Sequence, residues 1–379
     1  MKIVLAPDSF KESLTAREVC IAMEKGFKQI FPEAEYMHVP MADGGEGTVQ
    51  SLVDATGGQI MTAMVTGPLG EPRAAAFGIL GDKTTAVIEM AQASGLELLP
   101  REQRNPLITT TFGTGELIKA ALDQGVKTIL IGIGGSATND GGAGMIQALG
   151  GHLKDSAGAE IGFGGGALKN LRTIDITGLD PRLAGTEVIT ACDVTNPLTG
   201  EFGASAIFGP QKGATPAMVR ELDEGLQHFA RIIRETLGKE IETVPGSGAA
   251  GGLGGGLLGF LNTELKRGID MVISYTQLPE KMAGADLVLT GEGGMDAQTR
   301  FGKAPYGVAA TAKKFGIPVI ALAGNVKADS RILFEHGFDA IFPITQGAMS
   351  LPEALAKGRD NVQITAENIA RVIHLFKQA

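Results

Sequence analysis

The chain has 379 residues, 44% hydrophobic and 20% charged, with a formal net charge of −9. This length suits two domains, the composition is that of a globular protein, and the acidic balance without any Lys/Arg-dense run argues against nucleic acid as a partner. Two cysteines, Cys20 and Cys192, are too few for a disulfide framework or a four-cysteine zinc site, and no export signal or membrane span is legible, so a cytoplasmic protein is expected.

The 55 glycines are about twice the usual share. Glycine weakens helices and strands, so their clustering at 132–144, 162–166, 246–259 and 291–294 points to tight turns and close approach of backbone to a ligand.

In chain order, residues 2–6 form a short apolar strand pattern, followed by a polar loop and helical spacing over 16–30. A second strand at 36–40 leads into a loop and a helix at about 46–55. Three extended segments, 60–66, 73–80 and 85–89, are separated by Gly67-Pro68 and Gly81-Asp82 and are expected to run antiparallel. A helix at 115–124, a strongly apolar strand at 128–133 and a helix at 142–149 restore the alternation. Strands at 173–176 and 187–191 follow, then a long amphipathic helix at 216–237 and a glycine-rich helix at 249–261. Short apolar strands at 287–290, 318–323 and 340–343 alternate with helices at 307–315, 330–335 and 366–376.

Short strands that are apolar throughout and spaced by helices belong in a parallel sheet covered on both faces. The fold class is therefore α/β with two domains: a Rossmann/flavodoxin-like parallel-sheet domain from both chain ends, residues 1–58 plus 285–379, and an inserted mixed α/β domain, residues 59–284. The oligomeric state is not readable from the sequence.

In such sheets ligands lie beyond the carboxyl ends of the strands, and four polar clusters sit there. Asp8, Ser9 and Lys11 follow the first strand, with Lys11 placed for an anionic substrate. Asp43 and Glu46 flank the turn Gly44-Gly45, where the alternatives are a substrate or Mg²⁺ contact and a helix cap. Gly134, Gly135, Ser136, Thr138, Asn139 and Asp140 join a strand to a helix that opens with Gly141-Gly142. Free amides and hydroxyls there suit a phosphate, while a capped tight turn is the plainer alternative. Glu292 and Asp296, with Lys303, form a cluster suited to Mg²⁺ and phosphate.

Two further groups sit in the middle of the chain. Asp193 follows the strand at 187–191 and suits activation of a hydroxyl, with Cys192 beside it either a small core residue or a reactive one. Lys212, in Phe208-Gly209-Pro210-Gln211-Lys212-Gly213, suits a phosphate or carboxylate. The five histidines lack metal-ligand spacing.

No Walker A loop is present, and Gly132-Ile133-Gly134 with Ala137 matches the dinucleotide fingerprint only loosely. A nicotinamide-dependent hydroxy-acid dehydrogenase and a non-catalytic sugar-acid or nucleotide binder therefore stay open beside a kinase.

The segments APDSFKESLTA, ADGGEGT, IGIGGSATNDGGAGM, ACDVTNPL, FGPQKGA, PGSGAAGGLGGG and TGEGGMDAQTRFGKAP, in this order, resemble those of type I bacterial glycerate kinases nearly end to end. The resemblance implies ATP- and Mg²⁺-dependent phosphorylation of D-glycerate, commonly to 2-phosphoglycerate, and two domains with a cleft between them. The chain departs from the family pattern Gly-Glu-Gly-Arg-Ile-Asp, having Gly294 in the arginine's place.

On this reading Asp193 is the first choice for the proton acceptor, with Asp43 as its competitor. Lys11 and Lys212 take the substrate carboxylate, Asp8 and Ser9 contact substrate, residues 134–140 with Lys303 cradle nucleotide phosphates, and Glu292 and Asp296 organise Mg²⁺.

Overall fold

The computed structural model describes residues 1–378. In chain order its strands are β1 (Lys2–Leu5), β2 (Glu35–His38), β3 (Gln59–Thr66), β4 (Pro72–Ile79), β5 (Thr85–Glu89), β6 (Thr128–Gly132), β7 (His152–Lys154) and β8 (Thr173–Asp175). They continue with β9 (Glu187–Ala191), β10 (Thr263–Lys266), β11 (Leu287–Met295), β12 (Val319–Val326) and β13 (Ala340–Pro343). Among the described residues no helix is long and apolar enough to cross a membrane.

The first unit comprises Met1–Asp43, Gln50–Gly57 and the chain from Gly268 onward. Its five strands are all parallel, in the order β13-β12-β11-β1-β2. Ile3 and Leu5 share a core with Met23 and Phe27 of the helix Ala16–Lys28 and with Ile369 of the helix Gly358–Gln378. Val4 lies between them on the strand, so it points to the opposite face, and it too is fully buried. Both faces are thus covered, which is why the strands read as unbroken apolar runs.

The helix Ala16–Lys28 is started by a capping box: Thr15 Oγ1 accepts from the Glu18 amide at 3.2 Å, and Glu18 Oε2 accepts from the Thr15 amide at 3.0 Å. Thr15→Ala is expected to lower stability by about 1 kcal/mol, read as a fall in the urea midpoint at unchanged slope.

β11 runs on to Met295, five residues past the strand expected from the sequence. Glycines 291, 293 and 294 allow it. A Cβ at Gly291 would lie 2.0 Å from the Leu322 carbonyl oxygen, and at Gly324, on the facing strand, 2.6 Å from that of Gly293. Close pairing with β12 makes a strand of what reads as a polar loop, placing Glu292 on a sheet.

The second unit comprises Gly44–Val49 and Gly58–Arg267. Six of its strands form a sheet in the order β10-β9-β6-β5-β4-β3, parallel from β10 to β5, with β4 and β3 added antiparallel at one edge, and β7 and β8 form a separate antiparallel pair. The antiparallel expectation for residues 59–89 therefore holds, and β5 joins that meander to the parallel part through its pairing with β6. The core gathers Ile88, Ile129, Ile131, Met145, Leu226 and Phe229.

The chain returns to the first unit at Gly268, not at 285 as the sequence suggests, because helices Gly268–Tyr275 and Leu278–Met282 pack with the helix Ala304–Lys314. A Cβ on Gly307 of that helix would lie 2.2 Å from Ile269 Cγ1. The turn Gly44–Val49 falls with the second unit, between flanking residues of the first.

Candidate active site

The first unit's sheet changes winding direction between β1 and β11: the chain steps from β1 to β2 on one side, and the later strands build outward on the other. Loops diverge at such a switch point and leave a crevice at the strands' carboxyl ends. Here the segments after β1 and β2 are held to each other and to β11, with Asp8 N donating to Gly291 O at 2.8 Å, Thr290 Oγ1 to Ala6 O at 2.8 Å and Met41 N to Pro7 O at 2.9 Å. Asp8, Asp43 and Glu292 are thereby brought within electrostatic reach of one another.

Their environments differ. Asp8 Oδ1 accepts from the Ser9 amide at 2.6 Å, yet burial, then the charge of Asp43 and to a lesser degree that of Glu292, push its carboxyl up from 3.8 to about 8. Glu292 is buried and also raised, first by burial and further by Asp43. Lys303 Nζ at 2.9 Å and Thr299 Oγ1 at 2.8 Å donate to its two oxygens and work against that rise. Lys11 is exposed, with its backbone beside Gly293.

Asp296 has partners of its own. It caps the short helix Ala297–Arg300 through the Gln298 amide at 2.9 Å and pairs with Lys327 at 2.8 Å, which holds its carboxyl below the usual range. Both carboxylates expected to hold Mg²⁺ are thus engaged by the protein's own cations, and among the described residues no set of three or more His, Cys, Asp or Glu is arranged to hold a metal ion.

The second unit carries the other cluster. β6 ends at Gly132, and a Cβ there would lie 2.6 Å from Gly44 O, so the turn Gly44–Val49 crosses the strand end. Glu89, at the end of β5, accepts from the Val49 amide at 2.8 Å and is raised by burial. Glu46 in this turn is exposed.

Beyond β6, Gly134 and Gly135 are exposed, whereas Ser136, Thr138, Asn139 and Asp140 are buried. Asp140 accepts from the amides of Thr111 (2.8 Å), Gly142 (3.1 Å) and Gly144 (3.3 Å) and from Thr111 Oγ1 (2.8 Å), and burial raises its pKa against these bonds. It anchors the loop from within. Asn139 donates to Ser205 Oγ at 2.9 Å, while Asn139 Oδ1, Thr138 Oγ1 and Ser247 Oγ, all buried, have no hydrogen-bond partner among the described residues. Gly251, with φ of 67°, lies so close that a Cβ would sit 1.9 Å from Thr138 O.

Lys212, expected to meet a phosphate or carboxylate, is buried against its own unit. It is 1% exposed, and its ammonium donates to Ser136 Oγ and Thr138 O, each at 2.7 Å. Burial lowers it from 10.5 to about 7, opposed by the charge of Asp140. Its role here is to shape the 134–140 loop. Asp193 is exposed beyond β9, beside the half-buried Cys192, whose thiol is raised by burial.

The sequence reading missed the buried hydroxyl row Ser94, Thr109, Thr110, Thr111 and Thr114. Three consecutive threonines ahead of a helix were the available signal.

Comparison with known proteins follows the same lines. The profile of the glycerate kinase family matches residues 3–374. A glycerate kinase of Bacillus subtilis is 57% identical over 377 residues, covering 100% of this chain and 99% of its own. The glycerate 2-kinase of Escherichia coli is 55% identical over 373 residues, covering 98% of each. The crystal structure of a Salmonella typhimurium LT2 protein described as a glycerate kinase 2 superposes with a TM-score of 0.92 at 51% identity, covering 100% of this chain and 99% of that one. This chain belongs to the glycerate kinase family.

Proposed function

We propose that this protein transfers the γ-phosphoryl group of ATP to the 2-hydroxyl of D-glycerate, giving 2-phosphoglycerate and ADP. Family membership supports the reaction class, and the name of the Escherichia coli relative supports the 2-position. The observation that carries a catalytic role is the meeting of Asp8, Asp43 and Glu292 at the switch point, with a carboxyl among them that ionises near 8.

A base with that ionisation is matched to accepting a hydroxyl proton near neutral pH, so Asp8 takes the role first given to Asp193, with burial and then the charge of Asp43 raising its proton affinity. Lys11 receives the glycerate carboxylate. The exposed glycine amides at 134 and 135 meet phosphate oxygens, and Lys212 holds that loop in shape. Lys303 keeps Glu292 in place through their ion pair.

Mg²⁺ enters as the magnesium complex of ATP and supplies charge neutralisation on the phosphates; no step is routed through a protein-held ion. Both cysteines are free, which suits a reducing compartment, and we place the enzyme in the cytoplasm.

Product analysis tests the reading directly. ³¹P NMR of D-glycerate incubated with magnesium-ATP and the protein is expected to show ADP and a 2-phosphoglycerate resonance. A 3-phosphoglycerate signal would overturn the regiochemistry, and absence of any phosphoryl transfer the activity.

A further inference from the structure

A cavity of about 460 Å³ opens in the second unit between two short turns, lined by Arg101, Arg104, Pro210, Gln211, Gly213 and Ala214. One wall is the 3-10 turn Arg101–Gln103, and the other is the turn Pro210–Lys212. The second turn presses on the first wall's backbone: Gly213 has φ of 91°, and a Cβ there would lie 2.2 Å from the Arg104 carbonyl oxygen. Glycine is the residue that permits both the conformation and the approach.

Among the described residues neither Arg101 nor Arg104 forms an ion pair with a carboxylate, and no acidic residue lines the cavity. The Arg104 guanidinium makes a long hydrogen bond, 3.4 Å, from Nε to Leu99 O. Lys212, on the turn Pro210–Lys212, points away from this cavity to Ser136 and Thr138. Two arginines thus line one concave space without a carboxylate partner, and a guanidinium is the side chain best suited to planar or tetrahedral oxyanions. The volume lies in the range of small-ligand pockets.

We propose that this cavity is an anion subsite of the enzyme, in which Arg101 and Arg104 hold the oxyanion of a reactant, either a phosphate of the nucleotide or the carboxylate of glycerate. This assignment of the ligand rests on the proposed kinase activity; the affinity for an oxyanion does not.

The test compares the full-length protein with Arg101→Gln, Arg104→Gln and the double variant. The exposed Arg101 and partly exposed Arg104 are replaced without disturbing the buried loop, and matching thermal melts verify the fold. Calorimetric titration with inorganic phosphate reads the pocket independently of turnover, and the double variant is expected to bind phosphate at least tenfold more weakly than the parent. In kinetics, a tenfold or larger rise in KM for ATP with that for glycerate unchanged assigns the subsite to the nucleotide. The reverse split assigns it to the glycerate carboxylate, and a rise in both places it where the two reactants share it.

Phosphate affinity and both KM values unchanged in the double variant would overturn the proposal. A parent protein that transfers no phosphoryl group overturns the functional reading instead, and the phosphate titration still decides whether the cavity takes an oxyanion.

Discussion

Asp8→Asn is expected to lower kcat by roughly 10²- to 10⁴-fold, the range that loss of a general base covers, while leaving the KM for magnesium-ATP within a fewfold of the parent value. The asparagine keeps the shape and the acceptor for the Ser9 amide but cannot take a proton. In the parent enzyme the acidic limb of the kcat/KM profile is expected near pH 8, because a base held at about 8 in the free enzyme is ionised only above it. That limb should vanish in the variant.

The same substitution is expected to stabilise the unliganded protein. Asp8 is raised from 3.8 to about 8 on folding, so between those values the folded state holds more protons than the unfolded one and stability falls as pH rises. Removing the carboxylate removes that loss. The gain in Tm is expected to be small near pH 4, to grow up to about pH 8 and to be level above it. An enzyme that loses activity and also loses stability at pH 8 would show that Asp8 is a structural residue and that the proton acceptor must be sought at Asp43 or Asp193.

Asp140→Ala is expected to cost about 3–5 kcal/mol, the range seen when one member of a buried charged network is removed, and so a large part of a typical folding free energy. Three amides and a hydroxyl would lose their acceptor inside a fully buried loop. Thr111 Oγ1, which also accepts from the Met145 amide at 2.9 Å, would lose its place between the loop and the helix Ala143–Ala148.

Urea unfolding at pH 7 measures this loss. Asp140→Asn should recover part of it, since the acceptor facing Gly142 survives while an amide group then faces the Thr111 donors. A loss below about 1 kcal/mol for the alanine variant would mean that water takes over the four bonds and that the loop is less closed than its burial indicates.

Where local pattern decides, the chain could be read closely. The strands β5, β9 and β13 and the helix Pro216–Leu237 have the bounds predicted for them, the strands from short apolar runs set off by turn residues and the helix from its own apolar stripe. Where partners decide, it could not. β10, Thr-Glu-Leu-Lys, is polar and four residues long, and it is a strand because β9 offers it a parallel edge. The helix Gly358–Gln378 starts eight residues earlier than its apolar stripe suggests, its polar first turns being joined to the rest through packing on the helix Ala16–Lys28.

The same division runs through the candidate site. Residue types and their order, Asp8 after the first strand, Asp43 after the second, Glu292 in a glycine-rich segment and Lys212 between glycines, are properties of the sequence, and with them come the family and the parallel-sheet class. Which carboxylate is raised, which lysine is buried and which acids are already paired depended on neighbours far along the chain: Asp43 and Glu292 around Asp8, Ser136 and Thr138 around Lys212, Lys327 on Asp296. Proton affinity follows burial and the distance to other charges, and both exist only once the strands have been brought side by side.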